Sequence, residues 1–150
     1  MNKIPYTKDE FDKHYFFYSG NNHPFIRATL LREYPSYDEK LSKMFSFISP
    51  GTRDKHMAKC KLKLGEPNFS DEYDNDYHIF DLNGDIFYYK INNHHEGNTI
   101  GMMTDKNFHV REKTNGRNWL FHPSEYDWQD SVGLKNRFVN FTTSLYNYLN

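Results

Sequence analysis

The chain has 150 residues and a formal net charge of −1 at pH 7, and 18% of its residues are aromatic. A chain of this length buries about 70% of its surface on folding, so we expect one globular domain over residues 1–150 with a core rich in Phe and Tyr. One cysteine excludes a disulfide scaffold, the small net charge excludes a strongly basic nucleic-acid-binding protein, and no apolar run reaches the roughly 20 residues of a membrane span.

A helix is expected close to the N-terminus. Residues 7–10 match a capping box, in which a threonine and a glutamate three residues later each bind the other's backbone N–H. Phe11, Tyr15 and Tyr18 follow at helical spacing. We therefore expect this helix to continue to Gly20.

Two further helices are expected before residue 50. Pro24 suits the first turn of one helix, which runs to about Tyr34. A second capping box at residues 36–39 begins the other, and the Ser-Pro-Gly sequence at residues 49–51 ends it. The apolar stripe of this last helix consists of Tyr37, Leu41, Met44, Phe45 and Ile48.

The segment from Thr52 to Leu64 is compatible with two structures. Lysines alternate with apolar residues after Ala58, as in a strand with one solvated face. Gly65 followed by Pro67, after a lysine-rich turn, is instead typical of a helix end, and we favour the helix. Because its neighbours are apolar, Cys60 is expected to be a small buried residue rather than a nucleophile.

A β-hairpin is the clearest local signal in the chain. Tyr77–Leu82 and Asp85–Ile91 are rich in strand-forming residues, and the Asn-Gly dipeptide between them accepts the positive φ angles of a type I′ turn. The cross-strand pairs expected from this two-residue loop are Phe80 with Phe87 and Ile79 with Tyr88.

The rest of the chain completes an α+β fold. Further strands are expected at Thr99–Thr104, Asn107–Lys113 and Asn118–Phe121, followed by a helix from about Ser131 to Leu149. The expected architecture is therefore N-terminal helices, an antiparallel meander of about four to five strands, and a C-terminal helix packed on the sheet. The buried stripe expected for the last helix is Leu134, Phe138, Phe141, Leu145 and Tyr148.

The stretch from Glu66 to Asp85 carries seven acidic residues and neither Lys nor Arg. One interpretation is a solvated acidic loop. The other is a docking surface for a basic partner, in which charge speeds the encounter and Tyr73 and Tyr77 anchor the contact. The candidate partner-binding residues are Asp71, Glu72, Tyr73, Asp74 and Asp76.

The opposite charge bias occurs at residues 106–117. On a strand, His109, Arg111 and Lys113 would share one face, which would suit the phosphate backbone of RNA. An RNA-binding module or a small metal-independent ribonuclease is therefore the alternative function. The residues that such a ribonuclease would use are His109, Arg111, Glu112 and His122.

Motifs for cofactors and metals are missing from the sequence. We find no phosphate loop, dinucleotide turn, nucleophile elbow or paired-cysteine metal motif. His94 and His95 are adjacent, so on an extended chain they point to opposite sides and do not easily share one ion. We therefore expect no cofactor, no metal and no catalytic residue, and we interpret residues 94–96 as a solvated loop.

Residues 77–89 resemble the Asp-Leu, turn and aromatic hairpin of SUKH-type bacterial immunity proteins, and Phe138–Leu149 is similar to their C-terminal helix. The resemblance covers the second half of the chain. It implies a cytoplasmic protein that neutralises a secreted bacterial toxin, often a nuclease, by binding it. A cytoplasmic location is also expected because no apolar signal core follows Met1. The leading hypothesis is therefore a non-enzymatic immunity protein whose acidic segment contacts a basic toxin domain.

Overall fold

The computed structural model describes residues 1–13, 16–19, 50–94, 98–104 and 132–150. These residues form three helices and six strands. In chain order they are β1 (Asn2–Lys3), α1 (Lys8–Asp12), β2 (Phe16–Ser19), α2 (Pro50–Leu64), β3 (Phe69–Ser70), β4 (Asn75–Leu82), β5 (Asp85–Asn92), β6 (Thr99–Thr104) and α3 (Val132–Leu149).

The described strands form one antiparallel sheet in the order β1-β4-β5-β6-β2, and β3 also pairs with β4. The C-terminal helix α3 packs on this sheet through its buried residues. The α+β fold class is therefore confirmed. The helices expected over residues 24–48 and the strands expected at 107–113 and 118–121 lie outside the described residues.

The β4–β5 hairpin has the predicted turn and register. Phe80 lies opposite Phe87 and Ile79 lies opposite Tyr88. The turn residues Asn83 and Gly84 have φ angles of 55° and 88°, as a type I′ turn requires. Both strands are longer than expected, because β4 begins at Asn75 and β5 ends at Asn92.

The ambiguous segment before this hairpin is helix α2, as favoured from its end signals. Pro50 is the first helical residue, where the missing N–H costs no hydrogen bond. At the other end, Gly65 has a φ of 71° and its N–H donates to the Lys61 carbonyl at 3.0 Å. Cys60 is fully buried between Met57 and Leu64 on the inner side of the helix, which confirms the expectation for the cysteine.

The expected extension of the first helix is wrong. The capping box forms as predicted, but α1 ends at Asp12. Tyr18, expected on that helix, lies in β2 and pairs with Met102 of β6. A run of neighbouring aromatic residues favours a strand where a sheet edge offers hydrogen bonds, and this long-range pairing overrides the helical spacing. Tyr15 lies outside the described residues.

The stripe predicted for α3 is confirmed where its side chains are described. Phe141 and Leu145 are fully buried, and Tyr148 is partly buried against the same core. The side chains of Leu134 and Phe138 lie outside the described residues. A buried stripe at this spacing keeps one side of α3 on the sheet.

Strand alternation divides the core between the two faces of the sheet. The helix face carries α2 and α3, and the aromatic face carries α1. The helix face buries Phe80, Phe87, Tyr89, Ile91, Ile100 and Met102 from the strands. The aromatic face buries Ile79, Tyr88 and Met103, with Ile4, Tyr6, Phe11, Phe69, Tyr77 and Ile86 packed around them.

Candidate functional site

The acidic segment is an ordered turn between β3 and β4. The two strands pair Phe69 with Tyr77 and Ser70 with Asp76. The Asp71 N–H donates to the carbonyl of the residue that begins β4, at 3.1 Å, and Asp74 closes the turn with a φ of 59°. The turn at residues 71–75, called the acidic turn below, therefore has a defined backbone.

The Asp71 carboxylate holds this backbone in place. Its Oδ1 accepts the N–H groups of Tyr73 (2.9 Å) and Asn75 (3.0 Å). Its Oδ2 accepts the Asn75 side-chain amide (2.9 Å) and the Tyr77 hydroxyl (3.1 Å). Partial burial would raise the pKa of Asp71, but these four hydrogen bonds outweigh it and hold the pKa below its usual value. Asp71 is therefore a positioning residue of the turn.

Asp76 also turns its carboxylate towards the protein. Its Oδ1 accepts from the Ser70 hydroxyl at 2.7 Å, and its Oδ2 accepts from the Asn93 amide at 3.1 Å. Asn93 in turn donates from its backbone to the Asp74 carbonyl, at 3.1 Å, and so ties the acidic turn to the end of β5. The Asp74 carboxylate is exposed, but its Oδ1 accepts from the Asn93 amide at 3.3 Å and its Oδ2 lies 3.4 Å from the exposed His94 ring.

The five predicted contact residues thus lie together at one end of the sheet but in two arrangements. Asp71 and Asp76 are held in hydrogen bonds within the hairpin. Glu72, Tyr73 and Asp74 are exposed. The Tyr73 side chain is 69% exposed, which among the described large hydrophobic residues only Leu62 of α2 exceeds. The face that a partner would meet therefore consists of residues 72–74.

A groove on the aromatic face begins directly beside these residues. Phe69 and Tyr77 stack at 4.7 Å between ring centroids, and Phe11 of α1 lies edge-on to Tyr77 at 5.1 Å. The groove has a volume of about 330 Å³. Its lining residues are Lys8, Phe11, Asp12, Phe69, Asp71, Glu72, Tyr73 and Tyr77.

The charges around the groove are mainly negative. Among the described residues that line it, Asp12, Asp71 and Glu72 are acidic and Lys8 is basic. The Lys8 ammonium donates to the Asp12 carboxylate at 2.7 Å. This hydrogen bond, and then the charges of Asp12, Asp9 and Glu72, raise the pKa of Lys8 above its ordinary value. The neighbouring carboxylates therefore favour the charged form of this ammonium.

The sequence did not reveal this groove. The capping box identified the start of α1, but nothing local shows that Phe11 packs on the β3–β4 hairpin. The strand β3, which carries Phe69, was not predicted because two residues are too few to show a strand pattern. The proximity of the aromatic rings to the acidic segment depends on the long-range contact between α1 and the sheet.

Cys60 and His56 of α2 resemble a catalytic thiol–imidazole pair, but their surroundings do not suit catalysis. The Cys60 thiol lies 3.4 Å from Nε2 of His56, but the cysteine is fully buried and burial raises its pKa to about 11. The thiol is therefore protonated at neutral pH and is a poor nucleophile.

Within the described ranges, no three His, Cys, Asp or Glu side chains are close enough to hold a metal ion. None of the described helices combines the length and the apolar composition needed to cross a bilayer.

The alternative basic site lies outside the described residues. This applies to all of residues 106–117, with His109, Arg111 and Glu112, and also to His122 and the pair His95 and Glu96.

No family model, curated protein or solved structure matches the chain. The resemblance of residues 77–89 to SUKH-type immunity proteins therefore stays a prediction.

Proposed function

We propose that this chain is a non-enzymatic binding protein of the immunity type, which neutralises a basic toxin domain in the cytoplasm by covering it. The observation that carries the proposal is the exposed sequence Glu72-Tyr73-Asp74 on a turn that the Asp71 carboxylate holds rigid. Two carboxylates flanking an exposed tyrosine form a surface suited to a basic protein.

The rigidity of the acidic turn supports a binding role. An exposed loop that becomes ordered only in a complex loses conformational entropy on binding, and this loss reduces affinity. Here the Asp71 carboxylate accepts four hydrogen bonds, and Asn93, directly after β5, adds another contact. The exposed side chains are therefore presented in advance, and most of the binding energy is available for the contact.

The position of Tyr73 supports the same role. Tyrosine combines a large apolar ring with a polar hydroxyl and loses little side-chain entropy, so it often dominates the energy of a protein interface. Tyr73 is 69% exposed beside the groove, so it contributes little to the core that stabilises the chain. Burying this ring under a partner would recover the hydrophobic free energy that folding leaves unused.

The proposal predicts that a reading frame beside this gene encodes an exported protein with a toxin domain, and the experiment begins by identifying and purifying that domain. We expect a stable complex with the chain, and we expect host cells that produce the toxin domain to grow only when the chain is produced as well. Hydrogen exchange in the complex should slow at residues 8–12 and 69–77 and stay unchanged at residues 53–64 of α2. Protection confined to α2, or growth inhibition that the chain does not relieve, would contradict the proposal.

A variant without the exposed carboxylates of the acidic turn tests whether they contact the partner, separately from any effect on folding. Glu72→Gln with Asp74→Asn removes two exposed carboxylates and the exposed Asp74–His94 ion pair, and it leaves the hydrogen bonds of Asp71 and Asp76 in place. Asparagine is suitable at position 74 because it tolerates the positive φ better than alanine does. The matched control is Asp54→Asn with Glu66→Gln, which removes two exposed carboxylates outside the groove. We expect only the first variant to weaken the complex.

A further inference from the structure

We propose that the groove between α1 and the acidic turn receives an arginine side chain of the partner protein. This inference rests on the proposed function, because it names the group that the same surface recognises. It adds a subsite that includes Lys8, Phe11, Asp12 and Phe69, none of which belongs to the acidic segment.

The groove has the size and shape for one long side chain. Its volume of about 330 Å³ is within the range of pockets that bind small ligands, roughly 300–1,000 Å³, and suffices for one long side chain. Phe69 and Tyr77 stack with their ring planes 19° apart, and Phe11 closes one side at 5.3 Å from Phe69. The rings supply apolar walls for the methylene stem and π faces for a cation at its end.

The charge of the groove is complementary to a cation. Of its lining residues in the described part of the chain, Asp12, Asp71 and Glu72 are acidic and Lys8 carries an ammonium. The oxygens of Asp71 already accept four hydrogen bonds, so this residue contributes negative charge rather than a new contact. Glu72 is exposed at the rim and is the carboxylate placed to accept from an incoming cation.

A cation of the chain itself, the Lys8 ammonium, already pairs with a carboxylate that lines the groove. Lys8 donates to Asp12 at 2.7 Å across one turn of α1, and both side chains are about half exposed. An exposed pair of this kind contributes little to stability, so an incoming cation displaces Lys8 at small cost. Lys8 therefore acts as a weak competitor at the mouth of the groove.

Arginine suits the groove better than lysine. A second ammonium would only replace the contact that Lys8 makes. A guanidinium is planar and less strongly hydrated, stacks on aromatic rings, and binds a carboxylate through two parallel N–H donors. A guanidinium can stack on the aromatic rings and donate two hydrogen bonds to Glu72 at the same time. An ammonium has no planar face with which to stack.

The test uses two synthetic probes, acetyl-Gly-Arg-Gly amide and acetyl-Gly-Lys-Gly amide, titrated into the ¹⁵N-labelled full chain. We expect the arginine peptide to shift the amide signals of residues 8–12 and 69–77 in a saturable way, and to bind at least about threefold more tightly than the lysine peptide. Shifts outside these residues, equal binding of the two peptides, or no saturable shift would overturn the inference.

Three variants distinguish recognition from a change in folding. Glu72→Gln should weaken binding of the arginine peptide about fivefold, and the control Glu66→Gln should leave it unchanged. Lys8→Met should strengthen binding, because it removes the competing ammonium and releases Asp12. A purely structural role for Lys8 predicts no such gain. Equal losses in Glu72→Gln and Glu66→Gln, or weaker binding in Lys8→Met, would contradict the inference.

The two proposals fail separately in these experiments. If the chain binds and neutralises the toxin domain but the arginine peptide does not bind, the groove inference is wrong and the proposed function stands. If the peptide binds as expected but the toxin domain is neither bound nor neutralised, the proposed function is wrong and the groove remains an arginine site for another basic protein.

Discussion

The two faces of the sheet differ in how completely they are buried. On the helix face, Phe141 of α3 stacks on Phe87 at 4.3 Å with an interplanar angle of 4°, and both rings are fully buried. On the aromatic face, Phe11, Phe69 and Tyr77 form a comparable cluster that is only partly buried. We infer that the helix face contributes more to stability than the aromatic face, whose rings stay partly exposed.

The polar groups of the two faces show the same contrast. On the helix face, the buried Asn98 amide accepts from Arg53 and from the Asn92 backbone, each at 3.3 Å, and donates to the Tyr89 hydroxyl at 3.1 Å. Beside the aromatic face, the Glu72 side chain is exposed, and the exposed Asp74 carboxylate contacts only the Asn93 amide and the His94 ring among the described residues. Internally paired polar groups stabilise one fold, whereas exposed carboxylates are available for contacts with another molecule.

The largest expected effect is that of truncating the ring at the centre of the helix face. Phe141→Ala should lower the free energy of unfolding by about 3–5 kcal/mol, because it leaves a cavity against Phe87 and Phe80. Phe69→Ala on the aromatic face is the matched control and should cost less than half as much. Urea unfolding measures both. Equal losses would contradict the division between the faces.

Acid should destabilise the helix face through His78. This side chain is buried, its Nδ1 has no hydrogen-bond partner, and burial together with the charge of Lys3 lowers its pKa to about 4. Between pH 6.5 and 4 the unfolded chain therefore takes up a proton that the folded chain does not. The stability that depends on neutral His78 is complete above pH 6.5 and falls by about 3 kcal/mol as the pH drops to 4.

Chemical unfolding at a series of pH values between 4 and 7 tests this prediction. His78→Gln cannot titrate in this range, so its free energy of unfolding should change less with pH than that of the natural chain. If the two pH profiles run parallel, the histidine is not the group responsible.

A smaller effect is expected at Gly101 on the aromatic face. A Cβ atom at this position would lie 2.1 Å from the ring of Tyr88, its cross-strand partner. Gly101→Ala should therefore displace that ring from its contact with Phe11 and cost about 1–3 kcal/mol. Gly101→Ala combined with Tyr88→Leu should recover part of the loss, since the smaller side chain makes room. A purely additive loss in thermal unfolding would show that the ring is not the obstacle.

The smallest expected change in stability is at the acidic turn. Asp71→Asn keeps the size of the side chain but removes the charge and one acceptor, so it should cost about 1–2 kcal/mol at pH 7. The same variant should weaken toxin binding further than its stability loss explains, because Tyr73 and Glu72 lose their fixed positions. Calorimetric titration at a temperature where the variant stays folded measures this. Unchanged affinity would show that Asp71 does not position Glu72 and Tyr73 for binding.

The sequence predicted those features that depend on neighbouring residues. The Asn83-Gly84 turn determines the register of β4 and β5, and Gly65 marks the end of α2, so both were predicted correctly. The helix expected through Tyr18 was wrong because pairing of β2 with β6 is a long-range interaction. The sequence indicated that the five residues of the acidic segment lie together. It did not indicate which of them hold the turn and which are exposed, because this depends on contacts with Ser70, Tyr77 and Asn93.

The most direct test of the account is the association rate constant with the proposed toxin partner, measured by stopped-flow fluorescence at low and high salt. For Glu72→Gln with Asp74→Asn we expect association about three- to tenfold slower than for the natural chain at low salt, and a difference that shrinks as salt screens the charges. The control Asp54→Asn with Glu66→Gln should change the rate by much less. Equal slowing in both variants, or no slowing in the first, would contradict a contact through residues 72–74.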